Sequence, residues 1–220
     1  MQTLMTSTLG GAVADGAVGD YVWDTVARSY TRPSGGTDPV LTALLMPDNS
    51  TKNVHVFSGT NYISTQGHGN SSFYFNIWFY PISNHVGLMS EQGGPVENTV
   101  YFYNALEIGL SGNINAGVWN GGNITYITSS GSVTLNAWNH LYFYYNNSAT
   151  ELGVSLNNAT AQTTTVTRSG PGTSYFLFGS QCSTYMTSNV RFAGKLGDVI
   201  GSSSALVSNY NDTKTVYGLT

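Results

Sequence analysis

Apolar residues along this chain recur at every second position in short bursts, not at the three-to-four spacing of an amphipathic helix. The clearest burst is Phe73–Tyr80, where Phe73, Phe75, Ile77 and Phe79 alternate with Tyr74, Asn76, Trp78 and Tyr80. A period of two puts successive side chains on opposite faces of an extended strand. The segment therefore predicts one face of Phe and Ile and another mixing Tyr, Asn and Trp. Shorter runs of the same character cover Val54–Phe57, Asn61–Ser64, Val86–Ser90, Thr99–Tyr103, Ala105–Leu110, Ile114–Trp119 and Asn123–Thr128. Asn139–Tyr145, Glu151–Leu156, Thr163–Arg168, Tyr175–Gly179 and Arg191–Ile200 follow. Gly- or Asn-bearing turns separate the runs, and short strands at this spacing predict an all-β sandwich. One helical turn is expected at Ala205–Tyr210, introduced by Ser202–Ser204.

The first 39 residues lack this pattern. Met1–Asp20 is an arm of small residues, and Arg32–Pro39 reads as a loop rich in Pro, Gly and Ser. With neither internal repeat nor linker after residue 40, the expected organisation is an N-terminal arm and loop (1–39) followed by one domain (40–220). An arm with so little core of its own is expected to be held by neighbouring subunits.

Composition narrows the chemistry. Only 8% of the 220 residues are charged, giving a formal net charge of −4. Seven Lys and Arg are too few for a basic nucleic-acid groove or a polybasic membrane patch. The polar surface must come from Gly, Ser, Thr and Asn instead. With few titratable groups, stability is expected to depend only weakly on pH. The single Cys182 makes no intrachain disulfide and no zinc site by itself. No apolar run approaches the ~20 residues that span a bilayer, and Met1–Asp20 does not resemble a signal peptide. Six Asn-x-Ser/Thr sequons, at Asn49, Asn70, Asn123, Asn146, Asn158 and Asn211, are candidate glycosylation sites.

Seven segments, taken in order, resemble the laminin G-like, concanavalin A-like lectin/glucanase superfamily over about residues 40–219. Phe57-Ser-Gly-Thr-Asn-Tyr-Ile63 is similar to its strand–turn–strand opening, and Phe75-Asn-Ile-Trp78-Phe-Tyr-Pro81 to its central strand. Ala105–Leu110 with Ile114–Trp119 resembles the next hairpin, and Asn136-Ala-Trp138-Asn-His140 the Trp-x-His segment. Leu152–Asn158 is similar to the family's Asn-Gly hairpin, with Asn158 in place of Gly. Phe176–Gly179 and Phe192–Ile200 resemble the closing strands. The resemblance implies a two-sheet antiparallel jelly roll. It leaves function open, because the scaffold carries binding, structural and glucanase proteins alike.

The residues argue against catalysis. Glucanases on this scaffold carry Glu-x-Asp-x-Glu on one strand, and Glu107 and Glu151 are followed by no such motif. A long-range carboxylate pair, such as Glu91 with Glu107, is what remains for the catalytic reading. No Gly-x-Ser-x-Gly elbow occurs. His140 is expected to be packed and hydrogen-bonded to backbone, and Asp198 to satisfy buried backbone donors. No cofactor is expected apart from calcium as a candidate, with Asp48, Glu91, Glu97 and Asp212 read as loop carboxylates. Candidate ligand-binding residues are Trp119 and Asn120 at a Gly-rich turn, Tyr185 on a long loop, and His68 between two glycines. Trp23, Trp78 and Trp138 are expected in the core.

Two functional readings result. The first is a non-enzymatic virion protein, associated with the capsid or its surface. Its arm would contact copies of itself or other virion proteins, and its sandwich would recognise host-cell glycans. The alternative is a secreted carbohydrate-binding, lectin-like module. A glucanase ranks third, for want of the carboxylate motif. Neither leading reading involves nucleic acid or membrane insertion.

Overall fold

The computed structural model describes residues 20–23, 26–29, 39–66, 72–94, 103–170, 173–181, 188 and 190–220. Almost all regular structure is strand. In chain order the strands are β1 (Asp20–Trp23), β2 (Val26–Ser29), β3 (Val40–Leu45), β4 (Thr51–Ser58) and β5 (Ile63–Gln66). Then come β6 (Phe73–Pro81), β7 (Val86–Gln92), β8 (Asn104–Ile108), β9 (Asn113–Trp119) and β10 (Ile124–Ser132). The last are β11 (Asn139–Asn146), β12 (Glu151–Leu156), β13 (Gln162–Thr165), β14 (Tyr175–Phe178) and β15 (Ala193–Ser202), with one short helix, α1 (Tyr210–Thr213).

The strands form two sheets. A nine-stranded sheet runs β13-β12-β11-β6-β15-β1-β2, with β4 also on β15 and β3 on β4. A six-stranded sheet runs β10-β9-β8-β7-β14-β5. Pairing is antiparallel except where β1 lies parallel to β15, with Val22 beside Ile200. This is the expected two-sheet jelly roll. Residues 20–23 and 26–29, within the expected arm-and-loop region (1–39), contribute two strands to the larger sheet.

Alternation decides the packing. Phe73, Phe75, Ile77 and Phe79 face inward and are fully buried, joined across the sandwich by Leu106, Ile108, Ile114, Val118, Phe176 and Phe178. Phe75 meets Phe176 edge-to-face at 4.8 Å, a favoured geometry for aromatic pairs. The other half of β6 builds a second cluster on the outside of the nine-stranded sheet, where Trp78, Trp138 and Tyr217 are buried with Met46 and Val54. Trp78 and Trp138 are thus buried as expected, but outside the sandwich interior. The side chain of Trp23 lies outside the described residues.

The C-terminal segment, residues 203–220, makes that second cluster. It crosses the outward face of β6 and β11. Asn76 donates from Nδ2 to the Val207 carbonyl (3.1 Å) and accepts at Oδ1 from the Asn209 N–H (3.0 Å). Trp78 Nε1 donates to Thr213 Oγ1 (2.9 Å), and the Tyr217 ring stacks on Trp78 at 4.1 Å. These side chains bind the segment's backbone in an open form. The helical turn therefore begins at Tyr210, not at Ala205.

Candidate functional site

On the outside of the six-stranded sheet, β8, β9 and β10 present an unusual row. Val118, Leu106 and Ile108 point into the core, so Glu107, Asn115, Gly117 and Trp119 point out. Across the turn, Ile124 pairs with Trp119, Tyr126 with Gly117 and Thr128 with Asn115. A polar line results over three strands. Thr128 Oγ1 donates to Asn115 Oδ1 (2.9 Å), and Asn115 Nδ2 donates to Glu107 Oε1 (2.8 Å). Glu107 Oε2 accepts the Ser188 N–H at 2.6 Å. Beside this line stand the half-buried Trp119 and the 61% exposed Tyr126. A planar ring with fixed hydrogen-bonding groups nearby matches the two-sided chemistry of a sugar, with its apolar C–H face and polar rim.

Trp119 is half-buried, on the same outward face as the exposed Tyr126 ring. Asn120 has another task. Its Oδ1 accepts from the N–H groups of Gly122 (3.0 Å) and Asn123 (2.9 Å), and its Nδ2 donates to Thr125 Oγ1 (3.2 Å). It shapes the β9–β10 turn, in which Gly121 adopts a φ of 95°. Tyr185 and His68 lie outside the described residues, as does Asn70. Asn49, Asn123, Asn158 and Asn211 are exposed, whereas Asn146 Oδ1 accepts from Ser148 and Ala149 at the turn after β11.

The long-range carboxylate couple does not converge. Glu91 is not on a loop: it lies in β7, opposite Asn104, and points into the sandwich. There it is fully buried in an ion pair with Arg168, and Asn104 also donates to it. Burial pushes its carboxyl above the usual range, opposed by the Arg168 charge and by hydrogen bonds. Glu107 points the other way, outward. Two carboxylates on opposite sides of a sheet cannot flank one bond.

The calcium candidates are equally dispersed. Asp48 accepts from the N–H (2.9 Å) and hydroxyl (2.6 Å) of Ser50, which hold its carboxyl below the ordinary value. Asp212 sits in the single turn of α1, and Glu97 lies outside the described residues. Among the described residues no group of three or more His, Cys, Asp or Glu side chains could hold a metal ion. Asp198 pairs with Lys52 at 2.7 Å, half exposed, while the Asp198 N–H donates to Tyr217 Oη (2.9 Å). Its carboxylate ties β15 to β4 by an ion pair, where satisfaction of buried backbone donors was expected, and its backbone N–H holds the C-terminal segment through Tyr217.

His140 is buried as expected, but its partner is a side chain. Nε2 meets Asn209 Oδ1 at 2.8 Å, and Nδ1 has no hydrogen-bond partner. Burial lowers its pKa to about 4, although the Asn209 contact pulls it up. His55, beside Phe57, is lowered by burial to about 4 as well.

Asn115, Tyr126 and Thr128 were not singled out from sequence, and Glu107 was weighed only as a catalytic carboxylate. The signal was present in the hairpin itself. Folding 113–128 about the Asn120–Asn123 turn puts Asn115 opposite Thr128 and Trp119 opposite Ile124. Glu107 joins only when β8 pairs with β9.

No protein-family model matches the chain, and no curated protein is similar to it in sequence. Solved structures share its fold. The CBM40 of the Ruminococcus gnavus IT-sialidase, bound to alpha2,6 sialyllactose, superposes with a TM-score of 0.54 at 11% identity. That match covers 83% of this chain and 100% of the CBM40. A heptameric SAP-like pentraxin from Limulus polyphemus gives 0.51 at 15% identity, covering 70% of this chain and 76% of that one. Mouse laminin alpha1 domains LG4-5 give 0.51 at 14%, covering 70% and 42%. The chain therefore has the concanavalin A-like jelly-roll fold that laminin G, pentraxin and CBM40 domains share.

Proposed function

We propose that this protein is a non-catalytic, lectin-like module that binds glycans on the outer face of β8–β10. The observation carrying this reading is the union, on one outward strand face, of half-buried Trp119 and exposed Tyr126 with the exposed Thr128 end of a polar line whose Glu107 end is buried. The line is held in place by its own hydrogen bonds, so little ordering remains to oppose binding. The shared fold with a CBM40 solved on a sialyllactose supports the class of ligand. The opposed directions of Glu91 and Glu107 favour binding over hydrolysis. The neutral, sequon-bearing surface suits a module working outside the cell, whether secreted or carried on a virion surface. Assembly through Met1–Asp20, central to the virion reading, rests on residues outside the described set and has no structural observation in its favour.

The test is a glycan-array screen of the full chain, followed by calorimetry on the strongest ligand. Trp119→Ala and Tyr126→Ala should each weaken binding about tenfold, the ~1.4 kcal/mol within the range of one aromatic contact. Unchanged affinity in both variants would remove this face as the site. Release of reducing sugar from the ligand would overturn the non-catalytic assignment.

A further inference from the structure

The opposite sheet carries a second candidate surface, unrelated to Trp119. Strand register places Thr163, Gly153, Tyr144 and Tyr74 side by side on β13, β12, β11 and β6. All four occupy outward positions, because Phe143, Phe73, Leu152 and Val154 take the inward ones. Gly153 is what shapes the row. A Cβ there would lie 2.2 Å from Cε1 and Cζ of Tyr144, so the Tyr144 ring occupies the space where a side chain would stand. The ring lies nearly parallel to that of Tyr74, 10° apart with centroids at 5.8 Å. Tyr142 adjoins at 5.2 Å. Tyr144 Oη donates to Glu151 Oε1 at 2.6 Å, and Glu151 Oε2 takes part in none of the described hydrogen bonds.

The half-buried Tyr144 ring, laid over Gly153 and backed by buried Tyr74 and by Tyr142, makes an aromatic shelf with the Glu151 carboxylate at its rim. Both Tyr142 and Tyr144 stay protonated far above neutrality, since burial and the nearby Glu151 push their pKa values up, that of Tyr142 to about 12. The C-terminal segment stops short of closing the shelf. It engages Tyr142, whose hydroxyl donates to the Leu206 carbonyl at 2.6 Å, and leaves Tyr144 half-buried and Thr163 exposed.

We propose that this shelf is a second glycan subsite and that it takes neutral sugar rings. A pyranose would lay its C–H face on Tyr144 and donate a hydroxyl to Glu151. Selection of neutral sugars follows from charge. Four described cations are engaged away from the row: Arg168 pairs with Glu91 inside the sandwich, Lys52 with Asp198, Lys195 lies 4.0 Å over Tyr80, and Arg191 lies 5.5 Å over Tyr62. An anionic sugar would meet the Glu151 carboxylate with no described cation at the row to offset the repulsion. The proposal extends the glycan-binding reading to another face and rests on that reading for the chemistry of its ligand.

Calorimetry of the full chain against neutral hexasaccharides of glucose, xylose and arabinose, with sialyllactose as the anionic probe, tests it. Two sites per chain are expected on a neutral probe. Tyr144→Ala should weaken one and Trp119→Ala the other, each about tenfold, and Glu151→Gln should weaken the first several-fold while the melting temperature holds. A single site weakened by Trp119→Ala and untouched by Tyr144→Ala and Glu151→Gln overturns the shelf but keeps the proposed function. A single site weakened in Tyr144→Ala and Glu151→Gln alone keeps the shelf and removes the β8–β10 face. Binding of sialyllactose at the shelf as tightly as the neutral probes overturns the charge argument. No heat with any probe overturns both.

Discussion

Trp78 and Trp119 both stand on outward positions of their sheets, yet Trp78 is fully buried and Trp119 only half. The difference lies in what crosses them. Over Trp78 runs the C-terminal segment, fastened by Asn76, His140 and the stacked Tyr217. On the other sheet Ser188 meets buried Glu107 on β8, whereas Tyr126 on β10 is left exposed. One face has become a second core, and the other is buried at β8 but exposed at Tyr126 and Thr128 on β10. An outward tryptophan is therefore a structural residue or a ligand platform according to a segment distant in sequence.

Trp78→Ala is the strongest way to break this contrast. It removes the stack on Tyr217 and the bond to Thr213, and leaves a cavity beneath the segment. A loss of about 3–5 kcal/mol in urea unfolding is expected, with earlier proteolysis after residue 203. A loss below ~1 kcal/mol would mean that the segment is not anchored there.

Acid should act next. His55 and His140 titrate near 4 in the fold and near 6.5 when unfolded. The stability they contribute as neutral rings is complete above pH 6.5. It falls as pH drops towards 4, because the unfolded chain takes up protons that the folded chain refuses, by roughly 3 kcal/mol per histidine across that window. Glu91 works in the opposite sense, since its raised pKa makes the folded state the better proton acceptor as pH falls. These two rings run against the expectation of weak pH dependence. Sparse charge limits the number of titrating groups, but two buried rings are enough. A melting temperature that stayed level from pH 7 to 4.5 would contradict this, and histidine NMR signals would show whether both rings remain neutral.

On the open face the effects should be smaller. Asn115→Ala cuts the polar line and deprives Glu107 of a donor, which should cost about 1 kcal/mol in urea unfolding. Tyr126→Ala should change stability by less than ~0.5 kcal/mol while weakening glycan binding. If it destabilised the protein as much as Trp78→Ala, the two faces would not differ in kind.

Much of the sandwich was legible in local pattern. The inward set Phe73, Phe75, Ile77, Phe79 and its outward complement were both readable from a period of two. The two strands at 20–29 were not, because their pairing depends on the edge of β15 rather than on alternation of their own. Glu91 was misplaced on a loop for a related reason. Nothing near it in sequence offers a charge, and its partner Arg168 lies 77 residues away. A buried carboxylate next to an apolar run reads as a loop residue until the fold supplies its counter-ion.

The sequence by itself determined the strand periodicity, the inward aromatic core and a surface too poor in charge for polyanion binding. These follow from nearest-neighbour geometry and from counting. Tertiary structure alone decided which outward face is sealed, that Glu91 and Glu107 look in opposite directions, and that Gly153 makes room for the Tyr144 ring. Each of these depends on which strand lies beside which, and long-range pairing sets that order.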